Sequence, residues 1–126
     1  VGLVGLPTWL WVVDPGPTTW GPNTKSVTLN GVTVTATGRV DRVVWSMGTG
    51  DSVTCAGPGT PYTDGDGISP SPDCGYRYRE SGTFDVTARA SWTVVWTATT
   101  GESGTVPLSV ASVGRIVMGE AQVINR

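Results

Sequence analysis

Histidine is absent from this sequence of 126 residues, and that one gap removes a large part of enzyme chemistry. Without an imidazole there is no Ser/His/Asp triad and no Cys/His dyad, and the common zinc sites lose their nitrogen ligand. Charge is scarce as well. Only 14% of the residues are Asp, Glu, Lys or Arg, and the net charge is -2. Nothing in that balance attracts a phosphate backbone or an anionic lipid surface, both of which call for clustered Lys and Arg. Nucleic acid is therefore excluded as an expected partner. Lys25 is the only lysine among eight basic residues, a bias that matches a GC-rich genome. Long hydrophobic runs are missing too. The opening VGLVGLPTWLWVV is apolar, but it is too short to cross a bilayer, lacks a basic flank and is broken by Pro7, so no membrane insertion of this segment is expected. With no initial methionine, the chain reads as processed or excised from a longer one.

What is present points to strands. Glycine (18 residues) and proline (nine) punctuate a chain otherwise rich in threonine and valine, which favours short strands and turns over helices. The length suits a single domain over 1–126, and the fold class is all-β. From Phe84 to Trp96 apolar side chains take every second position: Phe84, Val86, Ala88, Ala90, Trp92, Val94 and Trp96. A period of two places them on one face of a strand, which at this length is expected to bend or to pass from core to rim near Ser91. Val27 to Ala36 predicts either two short strands joined at Asn30-Gly31 or one bulged strand. Val40 to Trp45 is a further strand. Thr8 to Val13, within an apolar N-terminal strand over 1–13, and Arg115 to Ile124 are expected at sheet edges or termini. No internal repeat appears, and no segment has a helical period.

Between Gly48 and Tyr76 lies a connection full of Gly, Pro, Ser and Asp, with Cys55 and Cys74 inside it. A cysteine loop over 50–76 with little core of its own has most to gain from a crosslink, so the two cysteines are expected to be paired and the protein to work in an oxidising, extracellular or cell-surface setting. The same loop carries hard oxygen donors. Asp51, Asp64, Asp66 and Asp73 are the candidate metal ligands, and calcium is the cation they suit, although Asp-Gly pairs more commonly make turns. No other cofactor is expected. Ten acidic residues include no pair whose surroundings would raise one carboxyl for glycoside hydrolysis, so no catalysis is expected.

Trp45, Met47, Gly48 and Gly50 in VVWSMGTGD, with Tyr78, Gly82, Phe84 and Val86 in GYRYRESGTFDVTARAS, carry a resemblance. They match the Trp, Phe and two Gly positions of a WDFGDG strand end and the following H-x-Y-x-x-x-G-x-Y-x-V pattern. The stretch from Val27 to Thr97 thus resembles the PKD domain. The departures are Ser46 and Thr49 for two aspartates, Tyr76 for the histidine, and an enlarged loop. The resemblance implies an immunoglobulin-like (PKD-like) β-sandwich with a long disulfide-crosslinked loop, as in secreted or surface proteins of high-GC Gram-positive bacteria. It also implies that VVWSMGTGD is a corner of the sandwich, not a ligand site. The function expected is that of a non-enzymatic interaction or spacer domain meeting a protein partner or neighbouring domains at the cell envelope.

The alternative is a carbohydrate-binding module. Six tryptophans are many for this length, and Trp9, Trp11, Trp20 and Trp96, with Tyr62, are the candidates for stacking on polysaccharide rings. Burial with Trp92 in the core is the commoner fate of such residues. Lys25 and Asn125 also resemble the partners of an adhesin isopeptide bond, against which a simply solvated lysine is the expectation.

Overall fold

The computed structural model describes residues 2–120. The elements are β1 (Gly2–Leu3), β2 (Pro7–Trp9), β3 (Asn23–Leu29), β4 (Val32–Ser46), β5 (Ser52–Cys55), a single helical turn at Asp64–Asp66, β6 (Gly75–Arg77), β7 (Gly82–Ala98) and β8 (Ser103–Gly119). The chain is nearly all β. One curled sheet has the order β1-β8-β7-β4-β3, with β5 on the other half of β4; a separate ribbon pairs β2 with β6. All pairs are antiparallel except β1 with β8.

The two-strand alternative for Val27 to Ala36 is the one formed. Asn30 (φ 52°) and Gly31 (φ 79°) both take positive φ, as a two-residue hairpin requires, and Leu29 faces Val32 across them. Along this hairpin Thr24 meets Thr37, Ser26 meets Thr35 and Thr28 meets Thr33, each pair sharing a hydrogen bond of 2.8–2.9 Å. The Val40–Trp45 segment is the continuation of the same strand. Near Ser91, where β7 is expected to bend or to pass from core to rim, the irregularity lies across the ladder on β4: Val40 faces Trp92 and Arg42 faces Ser91, leaving Asp41 as the extra residue of a bulge. That residue changes the phase of β4. Val32, Val34, Ala36 and Val40 before it, and Val43, Trp45 and Met47 after it, therefore all point to the same side as the alternating apolar set of β7.

Three expectations need correction. Thr8 to Val13 is not one strand, because pairing with β6 ends at Trp9 and the chain then crosses the sheet as an irregular strap. The C-terminal strand starts well before Arg115. It opens at Ser103, since residues of weak strand propensity such as Pro107, Ser109 and Ala111 are held by seamless pairing with β7. The 50–76 connection is crosslinked, but it is not one loop, because it contains β5 and the start of β6. Positions 121–124 and Asn125 lie outside the described residues.

The core sits at one end. Leu10, Met47, Cys55, Cys74, Tyr78 and Met118 are buried together, with Val4, Trp45, Val53, Tyr76, Phe84, Val86 and Ile116 packed against them. The strap and the cysteine loop thus cover the half of the sheet that runs from Phe84 to Ala90 and from Val43 to Met47.

Candidate functional site

Among the described residues, no such cover lies over the other half of the same face. Register puts Val27 and Leu29 of β3, Val32, Val34 and Ala36 of β4, Trp92, Val94 and Trp96 of β7, and Val106, Leu108 and Val110 of β8 on one side. Leu29 is 71% exposed, Val27 69%, Val110 56% and Leu108 53%. Isolated exposed aliphatics are ordinary, but here they are neighbours on adjoining strands and form one patch. Lys25 stands at its edge and is the only charged side chain among these positions. The opposite side is mostly hydroxyl, from Thr24, Ser26 and Thr28 across to Thr93 and Thr97.

The patch is shaped by two tryptophans and two glycines. At Gly104 an added Cβ would come within 2.5 Å of Trp96 Nε1, so the indole lies across β8 where no side chain competes. Gly38 does the same service for Trp92 and Val94, whose ring and methyl atoms would lie 3.5 and 3.3 Å from a Cβ there. Towards the core the surface deepens. A cleft of about 260 Å³ lies between Val12, Thr18, Thr19, Val43, Trp92 and Val110. A larger one of about 570 Å³ continues past Val12 and Ala88 to Trp9, Trp45 and Ile116. Both are lined mainly by apolar side chains.

The tryptophans named from sequence are spread out. Trp9 is half-buried, stands edge-on to Tyr62 with ring centres 5.4 Å apart, and donates from its indole nitrogen to the Ser69 carbonyl at 2.9 Å. Trp11 packs where Gly59 lets two backbones meet. Trp20 lies beside β4, its carbonyl accepting from the Val40 amide at 2.8 Å. Of these four, Trp96 belongs to the bare patch, where it stands with Trp92 on β7. All six tryptophans are half-buried, and Trp45 packs against the buried core.

The four aspartates are not brought together. Asp51 accepts from the Tyr76 hydroxyl at 2.6 Å, Asp66 from the Thr63 amide and hydroxyl at 2.8 and 3.0 Å, and Asp73 from Thr60 and Ser71. Asp66 serves its own turn, Asp51 and Asp73 tie together distant parts of the cysteine loop, and Asp64 starts the helical turn. Among the described residues no three Asp, Glu or Cys side chains are grouped to hold a metal ion.

Cys55 and Cys74 are joined, with Cα atoms 5.8 Å apart, and both sulfurs lie inside the core. The VVWSMGTGD stretch turns from β4 into β5, closed by the Met47 amide on the Asp51 carbonyl at 3.0 Å, with Gly48 (φ 80°) and Gly50 (φ 94°) making the reversal. Tyr78, fully buried, donates its hydroxyl to the Met47 carbonyl at 2.9 Å and stacks on Phe84. Burial raises its pKa above the ordinary tyrosine value, and the neighbouring Tyr76 adds to the effect. Tyr76 is raised as well, by burial first and then by its bond to Asp51. No helix among the described residues is long and apolar enough to cross a membrane.

Comparison with known proteins finds no matching family model, no similar curated protein and no similar solved structure.

Proposed function

We propose that this chain is a non-enzymatic interaction domain of the PKD-like, immunoglobulin-like kind, working outside the cytoplasm at a bacterial envelope or in a secreted protein. One observation carries this reading: the far half of the sheet presents a charge-poor apolar patch, whereas the near half of the same face is already packed. An immunoglobulin-like domain buries such a face against a second sheet, and here a partner protein or neighbouring domain supplies that layer. The buried Cys55–Cys74 bridge supports an oxidising setting. The lack of histidine supports a role without catalysis.

The test is capture from an envelope extract by the intact chain, compared with Leu108→Glu. Partners are expected to be lost in the variant. An unchanged set of bound proteins, or hydrolytic turnover by the purified chain, sinks the reading. A polysaccharide platform is the competing function, favoured by one feature: Trp92 and Trp96 share the patch on a single strand. Tryptophan fluorescence titrated with cell-wall and plant polysaccharides decides it, since stacking on Trp96 would shift the emission.

A further inference from the structure

We infer that the layer over the bare patch is a second copy of this chain, packed face to face to complete a two-sheet sandwich across a two-fold axis. The inference rests on the patch being a contact surface, and it names the occupant from area, charge and shape.

The patch is four strands wide and as long as β3. Strand spacing of about 4.8 Å and a rise of about 3.4 Å per residue give a flat footprint of roughly 450 Å². Two copies together cover about 900 Å² before side-chain relief is counted, which approaches the roughly 1,000 Å² that a specific interface needs. A smaller ligand would leave part of it wet. The charge pattern also fits like with like. Lys25 is the one charged residue and stands at the rim, so facing copies bury no unpaired charge in the middle. The patch is also low and even, because the Trp96 indole lies down across Gly104 while Trp92 and Val94 pack over Gly38. An even surface of that kind can meet its own copy, as an isologous contact requires.

The cover on the near half fixes the arrangement. If both copies lay with their cores at the same end, the strap of one (Leu10 to Trp20) would collide with the strap of the other. Opposed ends avoid this. The tip around Leu29 and Val32 of one copy then reaches the border of its partner near Thr18, Trp92 and Val110. Sheets packed this way lie about 10 Å apart with strands within about 30° of each other.

Sedimentation equilibrium on the oxidised chain, with its disulfide intact, tests the inference. A dimer is expected, weakened at least tenfold by Leu29→Glu and by Leu108→Glu and unchanged by Thr105→Glu on the hydroxyl side. All four proteins are checked for native near-ultraviolet circular dichroism. If either glutamate variant misfolds, Val27→Thr and Val106→Thr, nearly isosteric and suited to strands, read the same weakening at smaller size. A chain that stays monomeric at high concentration overturns the proposal, and so does a dimer indifferent to every substitution on the patch. The two levels fail separately. A monomer whose capture of envelope proteins is lost with Leu108→Glu has a foreign partner on the patch, so the second copy is wrong and the contact surface stands. A monomer with unchanged capture refutes both.

Discussion

Removing the Cys55–Cys74 bridge is expected to weaken the whole fold, not the loop alone. The pair closes a loop with a sequence separation of 19, for which the chain-entropy relation gives about 3 kcal/mol of lost stabilisation. Replacing both residues by alanine has a second cost, because the sulfurs are packed among Leu10, Met47, Tyr78 and Met118. Two vacated sulfur positions in that cluster add about 1–2 kcal/mol. The sum, about 4–5 kcal/mol, is a large share of what a domain of this size has. At about 3–4 °C per kcal/mol, the melting temperature should fall by about 15 °C. Thermal unfolding of the Cys55→Ala/Cys74→Ala protein, followed in parallel by far-ultraviolet circular dichroism and tryptophan fluorescence, measures this. One cooperative transition at the lower temperature is expected, since the bridge and the β4–β7 sheet share one core. If residues 50–76 lose order while the sheet melts where it did before, the bridge only holds a surface loop and its placement in the core is wrong.

Other perturbations reach the same core by different routes. Tyr78→Phe leaves the Met47 carbonyl without its donor in a buried site and should cost about 1–2 kcal/mol in chemical denaturation, whereas an effect under about 0.3 kcal/mol would mean that water replaces the bond. Gly59→Ala places a Cβ against the Leu10 carbonyl and Trp11 Cα at a residue with φ 86°, so it should destabilise by 2 kcal/mol or more, at about the upper end of ordinary substitutions, or prevent folding. Stability should also decline at alkaline pH. Tyr76 and Tyr78 have pKa values raised above 10.0 in the folded protein. The unfolded tyrosines therefore ionise first, so the stabilisation is complete below that value and is lost as pH rises through the folded values. In Tyr78→Phe part of the alkaline decline should disappear; an identical pH profile would refute the assignment.

The alternation from Phe84 to Trp96 was enough to establish a strand and to say which of its side chains share a face, because period two is a local property of extended backbone. Asn30-Gly31 left a hairpin and a bulge both open, and the structure takes the hairpin, with positive φ at both residues. The cysteines announced a bridge through their number and their setting. The patch residues of β8 were written in equally plain form, with Val106, Leu108 and Val110 at alternate positions, but Pro107 and the small polar residues between them masked the strand. Only pairing with β7 along its whole length holds them extended. Sequence also could not say how much of the apolar face would be covered. The alternating set of β7 is uniform from end to end, yet Phe84 and Val86 lie under the strap and the disulfide while Val94 and Trp96 do not. That difference comes from where Leu10 to Trp20 crosses the sheet and from the bulge at Asp41, which keeps both halves of β4 facing the same way. Side-chain pattern is set by neighbours along the chain; cover is set by segments distant in sequence, and only the tertiary structure places them.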